Sequence, residues 1–274
     1  MFFKSLKLDY LFWQVCPWPG FLKFDFLTKK YFLLIRHFLK PFELGKAWAK
    51  VAGDKIYYDS RLGLASYQSL LTRHRKMLNL AKIDTPIQTV IDIGANVGFF
   101  AKLMRERYPR CLIYCFEPVP LTFETLKKNF PDDSRIKLLP LAMSSQRGMA
   151  RMRADSQDSA TNSICSKGSV QVRTETLDKF VKKEKIKTID ILKIDTETSE
   201  ALVLRGAQKS LAITKYLFLE VTIADNPRYT ISSLFKLLSS SRFDFQLVAF
   251  RNYADTSERR MPIMDTLLKN TRLV

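Results

Sequence analysis

The sequence predicts an α/β protein whose mostly parallel sheet carries helices on both faces. Two observations predict this class. Short runs of β-branched apolar residues alternate along the chain with helical patterns, as parallel strands and their crossover helices do. The first clear strand, within VIDIGANVGFF at 90–100, also runs into a turn with two glycines and then into a helix. In such sheets ligands bind at the carboxyl ends of the strands, so we expect the functional residues at that edge.

A helical N-terminal segment, residues 1–53, precedes the α/β domain, residues 54–274. The segment interleaves Phe, Trp and Tyr with Lys and contains all three tryptophans. Its longest uncharged run, residues 10–22, is too short to span a bilayer and includes two prolines. It also lacks the apolar run and small-residue cleavage site of a secretory signal. Two interpretations stay open: helices that pack on the domain, or a peripheral membrane contact through residues 1–50, with rings and lysines among the lipid headgroups.

The elements of the domain follow in order. Periodicity predicts a covering helix before the first strand, with a face formed by Tyr67, Leu70, Leu71, His74, Met77 and Leu78. Strands are predicted at 90–93, 111–118, 136–143, 189–195, 216–222 and 243–250. Helices are predicted between them at 99–108, 121–130, 174–184, 199–212 and 230–241. The polar stretch 144–169 has little periodicity and is predicted as a loop or a hairpin.

The bulk composition excludes several classes of protein. With 274 residues, of which 46% are hydrophobic, the chain is globular rather than disordered. Its four cysteines are too few and too scattered for a disulfide framework; Cys111 and Cys115 indicate buried thiols of a reduced compartment, and no metal site is predicted. We therefore expect a cytoplasmic location, peripheral at the inner membrane face if residues 1–50 contact lipid. A net charge of +18 implies an anionic neighbour, which is nucleic acid, an acidic glycan or membrane headgroups.

The turn after the first strand favours a cationic ligand over a dinucleotide. Its glycines, Gly94 and Gly98, are spaced G-x-x-x-G, and Asn96 stands where a dinucleotide fingerprint needs its second glycine. Asp92, two residues before the first glycine, would repel a pyrophosphate but attract a cation. S-adenosyl-L-methionine (SAM) carries an ammonium and a sulfonium and no phosphate, so it fits this turn better than NAD does.

A second acidic residue ends the next strand. The strand CLIYCFEP at 111–118 reaches its tip at Glu117, 23 positions beyond Gly94. An acidic side chain there can accept hydrogen bonds from both hydroxyls of an adenosine ribose. Alone it would indicate a solvated turn residue, but the glycine turn at the matching distance favours the ribose contact.

Three carboxylates lie at the tip of a later strand, in the stretch KIDTETSE. Glu200 is best explained as a first-turn residue of the following helix, whose N-cap is Thr198 or Ser199. That leaves Asp195 and Glu197 unexplained. Two carboxylates close together at an inner strand tip repel each other, so their presence indicates that a cation is bound or a proton is transferred there.

Together these motifs resemble the FkbM-type SAM-dependent methyltransferase family. The resemblance rests on VIDIGANVGFF, on IDILKIDTE, and on the shorter pieces FEP at 116–118, TLD at 176–178, LRGA at 204–207 and LEV at 219–221. It extends over residues 86–250. It implies the class I methyltransferase (Rossmann-like) fold and SAM-dependent transfer of a methyl group to a hydroxyl oxygen, often on a sugar, a glycan or a natural product.

The resemblance also implies roles for individual residues. The cofactor would lie against three loops: Asp92, Gly94, Ala95, Asn96 and Gly98 at its methionine end, Glu117 and Pro118 at its ribose, and Leu141 and Ala142 at its adenine. Asp195 and Glu197 would face the acceptor. There a carboxylate would receive the hydroxyl proton, or the pair would hold a divalent cation that acidifies the hydroxyl, and the sequence leaves both open.

One position departs from the family pattern. The family usually reads D-x-E-G where this chain has D-T-E-T, so Thr198 replaces a glycine. A β-branched side chain then stands at a backbone position that favours glycine, on the side of the site that faces the acceptor.

Two rival functions stay open. An RNA ribose methyltransferase is favoured by the net charge and by Lys193, which shares a strand face with Asp195 and is placed to assist a ribose hydroxyl; no RNA-binding module is evident in the sequence. A non-catalytic, membrane-associated SAM-binding protein is favoured by Thr198 alone. Both rank behind methylation of a sugar, a glycan or a natural product.

Overall fold

The computed structural model describes most of the chain. The described residues are 2–39, 47–51, 54–58, 63–83, 86–153, 163–164, 168–222, 229–253 and 263–274. Helices and strands are numbered in chain order within these residues.

The N-terminal part contains three helices and a β-hairpin. These elements are α1 (Phe2–Val15), α2 (Gly20–Leu39), β1 (Ala47–Val51), β2 (Asp54–Tyr58) and α3 (Gly63–Leu80). The first two helices confirm the helical N-terminal segment, and α3 is the predicted covering helix. The sequence pattern does not predict the hairpin, in which β1 and β2 pair antiparallel. The proposed boundary after residue 53 falls between these two strands and stays a prediction.

Two series of alternating strands and helices build the large sheet. The first series is β3 (Thr89–Ile93), α4 (Phe99–Arg107), β4 (Leu112–Phe116), α5 (Pro120–Asn129) and β5 (Ile136–Leu139). A small sheet follows, formed by β6 (Ala142–Met143), β7 (Gly148–Arg153), β8 (Ser163–Ile164) and β9 (Val170–Glu175). The second series is α6 (Leu177–Lys183), β10 (Ile189–Ile194), α7 (Glu200–Arg205), α8 (Gln208–Leu211) and β11 (Thr214–Thr222). The chain continues with α9 (Ile231–Leu237), β12 (Ser239–Ser240), β13 (Phe243–Tyr253) and β14 (Ile263–Asn270).

The strand order confirms the predicted fold class. Within the described residues the large sheet has eight strands in the order β12-β13-β14-β11-β10-β3-β4-β5. The five strands from β11 to β5 are parallel, whereas β14 pairs antiparallel with β11. The chain winds outward from β3 in one direction through β4 and β5, and then in the other through β10 and β11. A ligand crevice is expected at the carboxyl ends of the strands where the winding direction changes.

The central strands are buried on both faces. Within β3, Val90 belongs to an apolar cluster that includes Met77 of α3 and Phe100 of α4. Its neighbour Ile91 belongs to a second cluster, which includes Leu177 of α6. Cys115 in β4 is a fully buried thiol, as the sequence predicts. Because both faces are covered, these strands read in the sequence as nearly continuous apolar runs.

Several predicted elements differ in the structure. The predicted strand 136–143 is divided around Pro140 into β5 and β6, since proline has no amide to donate to a strand ladder. The polar stretch 144–169, predicted as a loop or a hairpin, contains β7 and β8, whose antiparallel pairing confirms the hairpin. The predicted helix 199–212 is divided into α7 and α8. The sequence pattern misses β14 altogether, because polar residues interrupt its apolar run in IMDTLLKN.

The first two helices pack on the domain through one face and expose aromatic rings on the other. Phe12 and Phe26 are fully buried, and the Phe26 ring meets Tyr67 of α3 with centroids 6.3 Å apart. This contact supports the packing interpretation of the segment. Phe21 and Phe32 remain 71% and 66% exposed, so contact with lipid stays a prediction. Among the described helices, none is both long and apolar enough to cross a membrane.

A buried charge network links the first three helices. Lys30 of α2 is buried and forms an ion pair with Asp9 of α1. Gln68 of α3 donates to the same carboxylate at 2.7 Å and accepts a hydrogen bond from the Lys30 ammonium at 3.0 Å. Burial lowers the pKa of Lys30, against the opposing effect of Asp9. The segment is therefore attached to the domain by a polar contact as well as by its aromatic residues.

We expect Asp9→Ala to destabilise the protein strongly, because it leaves the Lys30 ammonium buried without its carboxylate. Breaking a buried pair in this way costs about 3–5 kcal/mol. Asp25→Ala is the matched control. Asp25 pairs with Lys29 at the surface of α2, the helix that also contains Lys30, and such a surface pair contributes about 0.3–0.5 kcal/mol. Urea unfolding of both variants measures the difference. Equal, small losses would show that the network does not anchor the segment.

Candidate active site

The glycine turn after β3 is shaped by close contact with β10. Gly94 has a φ of 77°, and a Cβ added to it would lie 1.8 Å from the carbonyl oxygen of Asp195. Gly98, at the start of α4, has a φ of 89°, and its Cβ would lie 2.4 Å from the Phe130 ring. Both positions therefore require glycine for their backbone conformation and for space. Asn96 also has a positive φ, and its side chain accepts a hydrogen bond from the amide of Val97 at 2.6 Å.

Glu117 connects the tip of β4 to this turn. Its carboxylate is buried and accepts hydrogen bonds from the amides of Asn96 at 3.0 Å and Val119 at 2.9 Å. The amides of Gly94 and Ala95 donate to the carbonyl oxygen of Phe116, one residue earlier. A carboxylate accepts hydrogen bonds from hydroxyl groups, so a glutamate at this turn suits contact with a diol. Its position at the glycine turn is the one that a ribose contact requires.

The remaining residues predicted to contact the cofactor lie at the same edge of the sheet. Pro118 follows Glu117 directly, and Ala95 is buried within the glycine turn. Leu141 and Ala142 follow β5, the strand next to β4, and Ala142 begins the small sheet by pairing with β9. Because β3, β4 and β5 are parallel, the loops that follow them are brought together at one edge.

Asp92 lies beneath the turn and has a protein cation beside it. It is fully buried, and the Lys193 ammonium lies 3.2 Å from its Oδ1 atom. The same ammonium lies 3.1 Å from Asp195 Oδ2 and donates to the carbonyl oxygen of Gly94 at 3.2 Å. Burial alone would lower the pKa of Lys193, but Asp195 and Asp92 outweigh it and hold that pKa above its ordinary value. Lys193 therefore stays charged, and two carboxylates share it.

One oxygen of Asp92 fits the predicted role toward a cationic ligand. Asp92 Oδ2 receives no hydrogen bond from any described residue, although the side chain is completely buried. Burial raises the pKa of this carboxyl, against the lowering effect of Lys193. A buried acceptor without a donor is unfavourable, and it suits a site where a positive group approaches the turn.

Three carboxylates meet at the ends of β10 and β11. Each of Asp195, Glu197 and Glu220 contributes an oxygen, and these oxygens lie within 4.8 Å of one another. The parallel pairing of Ile194 with Leu219 places Asp195 next to Glu220. Such a cluster can share a proton or a cation. Burial, followed by the charges of neighbouring carboxylates that include Asp195 and Glu197, raises the pKa of Glu220 well above its ordinary value.

Sequence reasoning does not assign Glu220 to the site. Its motif, LEV at 219–221, contributes only to the family resemblance. A usable signal was nevertheless present: the motif ends a predicted strand, and in a parallel sheet that end lies at the same edge as Asp195.

Glu200 closes the turn between β10 and α7. Its Oε1 atom accepts hydrogen bonds from the amide and the hydroxyl of Thr196, at 3.0 and 3.1 Å, and its Oε2 atom accepts one from the hydroxyl of Tyr229 at 3.0 Å. It lies in the first turn of α7, as predicted, but it is buried and structural. Ser199 is the N-cap residue, as predicted, although its side chain makes no capping hydrogen bond. The carboxylate of Glu200 holds this turn instead.

The turn also contains two consecutive residues in the left-handed region. Glu197 has a φ of 48° and Thr198 has a φ of 80°. A β-branched residue is rarely found with such a φ, so Thr198 is strained. The structure therefore supports the expectation that this backbone position favours glycine.

A cavity of about 720 Å³ lies between α4, the end of α5 and the β-hairpin. Its lining contains none of the carboxylates or predicted cofactor contacts described above, although Phe130 in the lining also lies against Gly98. Two of its charges are already paired, since Arg105 contacts Asp133 at 2.7 Å. The chemistry of the predicted site is thus concentrated at the strand ends and not in this cavity.

Comparison with known proteins finds methyltransferases. The sequence model of a family described as "Methyltransferase FkbM domain" matches residues 92–246. The 2-O-methyltransferase NoeI of Sinorhizobium fredii is 24% identical over 232 residues, which are 77% of this chain and 90% of that protein. The hexuronic acid methyltransferase AglP of Haloferax volcanii is 24% identical over 167 residues, which are 60% of this chain and 66% of that protein.

Among solved structures, a methyltransferase FkbM from Methylobacillus flagellatus is similar to this chain. The sequence identity is 13% and the TM-score is 0.44, over 75% of this chain and 54% of that one. The fold assignment rests on the strand order of this chain.

We expect Thr198→Gly to stabilise the protein. A left-handed backbone conformation destabilises the folded state by roughly 1–2 kcal/mol when the residue has a Cβ, and glycine removes this strain. Glycine also makes the unfolded chain more flexible, which lowers the free energy of unfolding by about 0.4–1 kcal/mol. The free energy of unfolding should therefore rise by about 0.5–1 kcal/mol. Thr188→Gly is the control, because Thr188 is exposed and its φ is not positive, and it should lose stability. A loss in both variants, measured by urea unfolding, would show that Thr198 is not strained.

Proposed function

Because the chain belongs to the family of FkbM methyltransferases, we propose that it transfers a methyl group from SAM to a hydroxyl oxygen of a sugar, a glycan or a natural product. The observation that carries this proposal is the placement of the glycine turn, Glu117 and the carboxylate cluster at one edge of the parallel sheet. Membership of a methyltransferase family also argues against the non-catalytic alternative.

The residues that follow β3, β4 and β5 suit the parts of SAM. The glycine turn brings backbone close to the methionine end, and Asp92 lies beneath it with one oxygen that lacks a donor. Glu117 would accept hydrogen bonds from the ribose hydroxyls, beside Pro118. Leu141 and Ala142 would contact the adenine. SAM, when bound, supplies a methyl carbon that its positively charged sulfur activates.

The carboxylate cluster suits the acceptor hydroxyl. A neutral hydroxyl is a poor nucleophile, and a carboxylate that takes its proton during methyl transfer accelerates the reaction by roughly 10²- to 10⁴-fold. Asp195 and Glu197 would face this hydroxyl. The ion pair with Lys193 fixes the orientation of Asp195, so the chain would align the acceptor oxygen with the methyl carbon, and such alignment lowers the barrier further.

The relatives and the net charge support a sugar-like acceptor. NoeI is named as a 2-O-methyltransferase and AglP as a hexuronic acid methyltransferase, and both names describe those proteins. A net charge of +18 favours encounter with an anionic acceptor, which an acidic glycan would be. RNA is negatively charged like an acidic glycan, so the net charge does not distinguish these two acceptors and an experiment has to identify the acceptor.

We expect Glu117→Ala to weaken SAM binding, because the variant loses the acceptor of both ribose hydroxyls. Charge-assisted hydrogen bonds of this kind contribute about 1.5–3 kcal/mol, so the Kd measured by calorimetry should rise by roughly ten-fold or more. Glu124→Ala is the control, since Glu124 lies exposed on α5 and pairs with Lys127. An unchanged Kd for the Glu117 variant would contradict the ribose assignment.

An assay with labelled SAM tests both the proposed function and the role of Asp195 in it. Purified protein is incubated with labelled SAM and fractionated cell extract, and we expect label to enter a glycan or small-molecule fraction. Asp195→Asn alters the carboxylate that would orient the acceptor hydroxyl, so it should lose this transfer by roughly 10²-fold or more and keep its SAM affinity within a few-fold. Asp132→Asn, at an exposed position, should behave as the unmodified protein. Label in RNA alone would favour the rival function, and full transfer by the Asp195 variant would exclude that residue.

A further inference from the structure

We propose that Glu220, at the carboxyl end of β11, receives the proton of the acceptor hydroxyl during methyl transfer. The proposal rests on the proposed function, because it needs an acceptor hydroxyl at this edge of the sheet. It assigns Asp195 and Glu197 the task of holding and orienting that hydroxyl, and it adds a residue that neither the sequence motifs nor the comparisons connect with the reaction.

The position of Glu220 allows it to reach the acceptor side. β11 lies beside β10 in the parallel part of the sheet, and the two strands end at the same edge. An oxygen of Glu220 lies within 4.8 Å of oxygens of Asp195 and Glu197. The side chain is half-buried, so it is partly shielded from water and still open toward the crevice. A hydroxyl held by Asp195 or Glu197 would therefore lie close to Glu220.

The ammonium of Lys193 contacts Asp195, and no ion pair joins it to Glu220. Lys193 contacts Asp195 Oδ2 at 3.1 Å and is held in place by Asp92, so one oxygen of Asp195 is already engaged with an ammonium. Among the described residues, no lysine or arginine forms an ion pair with Glu220. A carboxylate that has no cation beside it binds a proton more tightly than one that has such a partner.

The charged groups that surround Glu220 all repel its ionised form. They are Asp195 and Glu197 in the turn after β10, Glu200 in α7, and Asp265, which pairs with Glu220 from β14. Burial is the largest effect on the pKa of Glu220, and these four carboxylates add to it, so the pKa lies well above its ordinary value. A base is most effective when its pKa lies near the working pH, and these surroundings move Glu220 in that direction.

In the proposed step, methyl transfer and loss of the hydroxyl proton occur together. The acceptor oxygen forms a bond to the methyl carbon while the carbon–sulfur bond breaks, and the electron pair of that bond stays on sulfur. The hydroxyl proton passes to an oxygen of Glu220, which becomes neutral. Glu220 then releases the proton to solvent through the open side of the crevice before the next cycle.

The pH dependence of the rate tests this proposal. For the unmodified protein we expect kcat to increase with pH along a limb whose apparent pKa lies above 4.5, the ordinary glutamate value. Glu220→Gln should lower kcat by roughly 10²- to 10⁴-fold and remove this limb, with the SAM Kd within a few-fold of the unmodified value. Asp265→Asn removes one neighbouring charge from outside the turn, so the limb should move to lower pH. A merely structural role of Glu220 would leave the limb in place.

The stability of the Gln variant shows whether it is folded. A raised pKa means that the folded protein holds a proton that the unfolded chain releases, so Glu220 costs stability as the pH rises from its ordinary value through its raised value. Glu220→Gln should therefore be at least as stable as the unmodified protein at neutral pH, and the difference should disappear below about pH 4.5.

Three results would overturn the assignment in distinguishable ways. If the unmodified protein transfers no methyl group to any hydroxyl acceptor, the proposed function itself fails. If it is active and folded Glu220→Gln is equally active, or keeps the pH limb, only the role of Glu220 fails. If a chelator abolishes activity and a divalent cation restores it, the three carboxylates hold a cation and Glu220 is not the proton acceptor.

Discussion

The close contact between the glycine turn and the end of β10 determines the geometry of the whole site. Gly94 and the carbonyl oxygen of Asp195 approach so closely that no side chain fits between them. Lys193 lies beneath this contact, donates to the carbonyl oxygen of Gly94, and balances the charges of Asp92 and Asp195. Without that ammonium the two carboxylates would repel each other and separate the strands. The side that suits the cofactor and the side that suits the acceptor are therefore fixed by the same contact.

Long-range and local charges have different roles in this protein. The chain as a whole carries a net charge of +18, which increases the rate of encounter with an anionic partner. The crevice is locally acidic, because carboxylates from β10, β11, α7 and β14 surround Glu220. An acidic crevice does not attract an anion, but it does suit the removal of a proton from a hydroxyl. Under the proposed function, this arrangement would separate attraction of the acceptor from the chemistry performed on it.

Local motifs in the sequence predict much of this structure, because they depend on backbone geometry. The glycine spacing predicts the turn, since Gly94 and Gly98 adopt positive φ values that glycine tolerates best. The replacement of glycine by Thr198 likewise predicts the strained turn. Tertiary contacts are not encoded locally: β14 has an interrupted pattern, and the contacts of Lys193 and Glu220 with other carboxylates appear only when β3, β10 and β11 are placed side by side. Predictions of single loops therefore hold better than predictions of groups shared between strands.

A crystal structure with S-adenosylhomocysteine is the most direct test of the central claim, that a SAM-type cofactor binds across the ends of β3 and β4. We expect its ribose hydroxyls within hydrogen-bonding distance of Glu117 and its sulfur on the side of Asp195, Glu197 and Glu220. A ligand bound elsewhere would contradict this account, and so would a crevice filled by side chains of the protein.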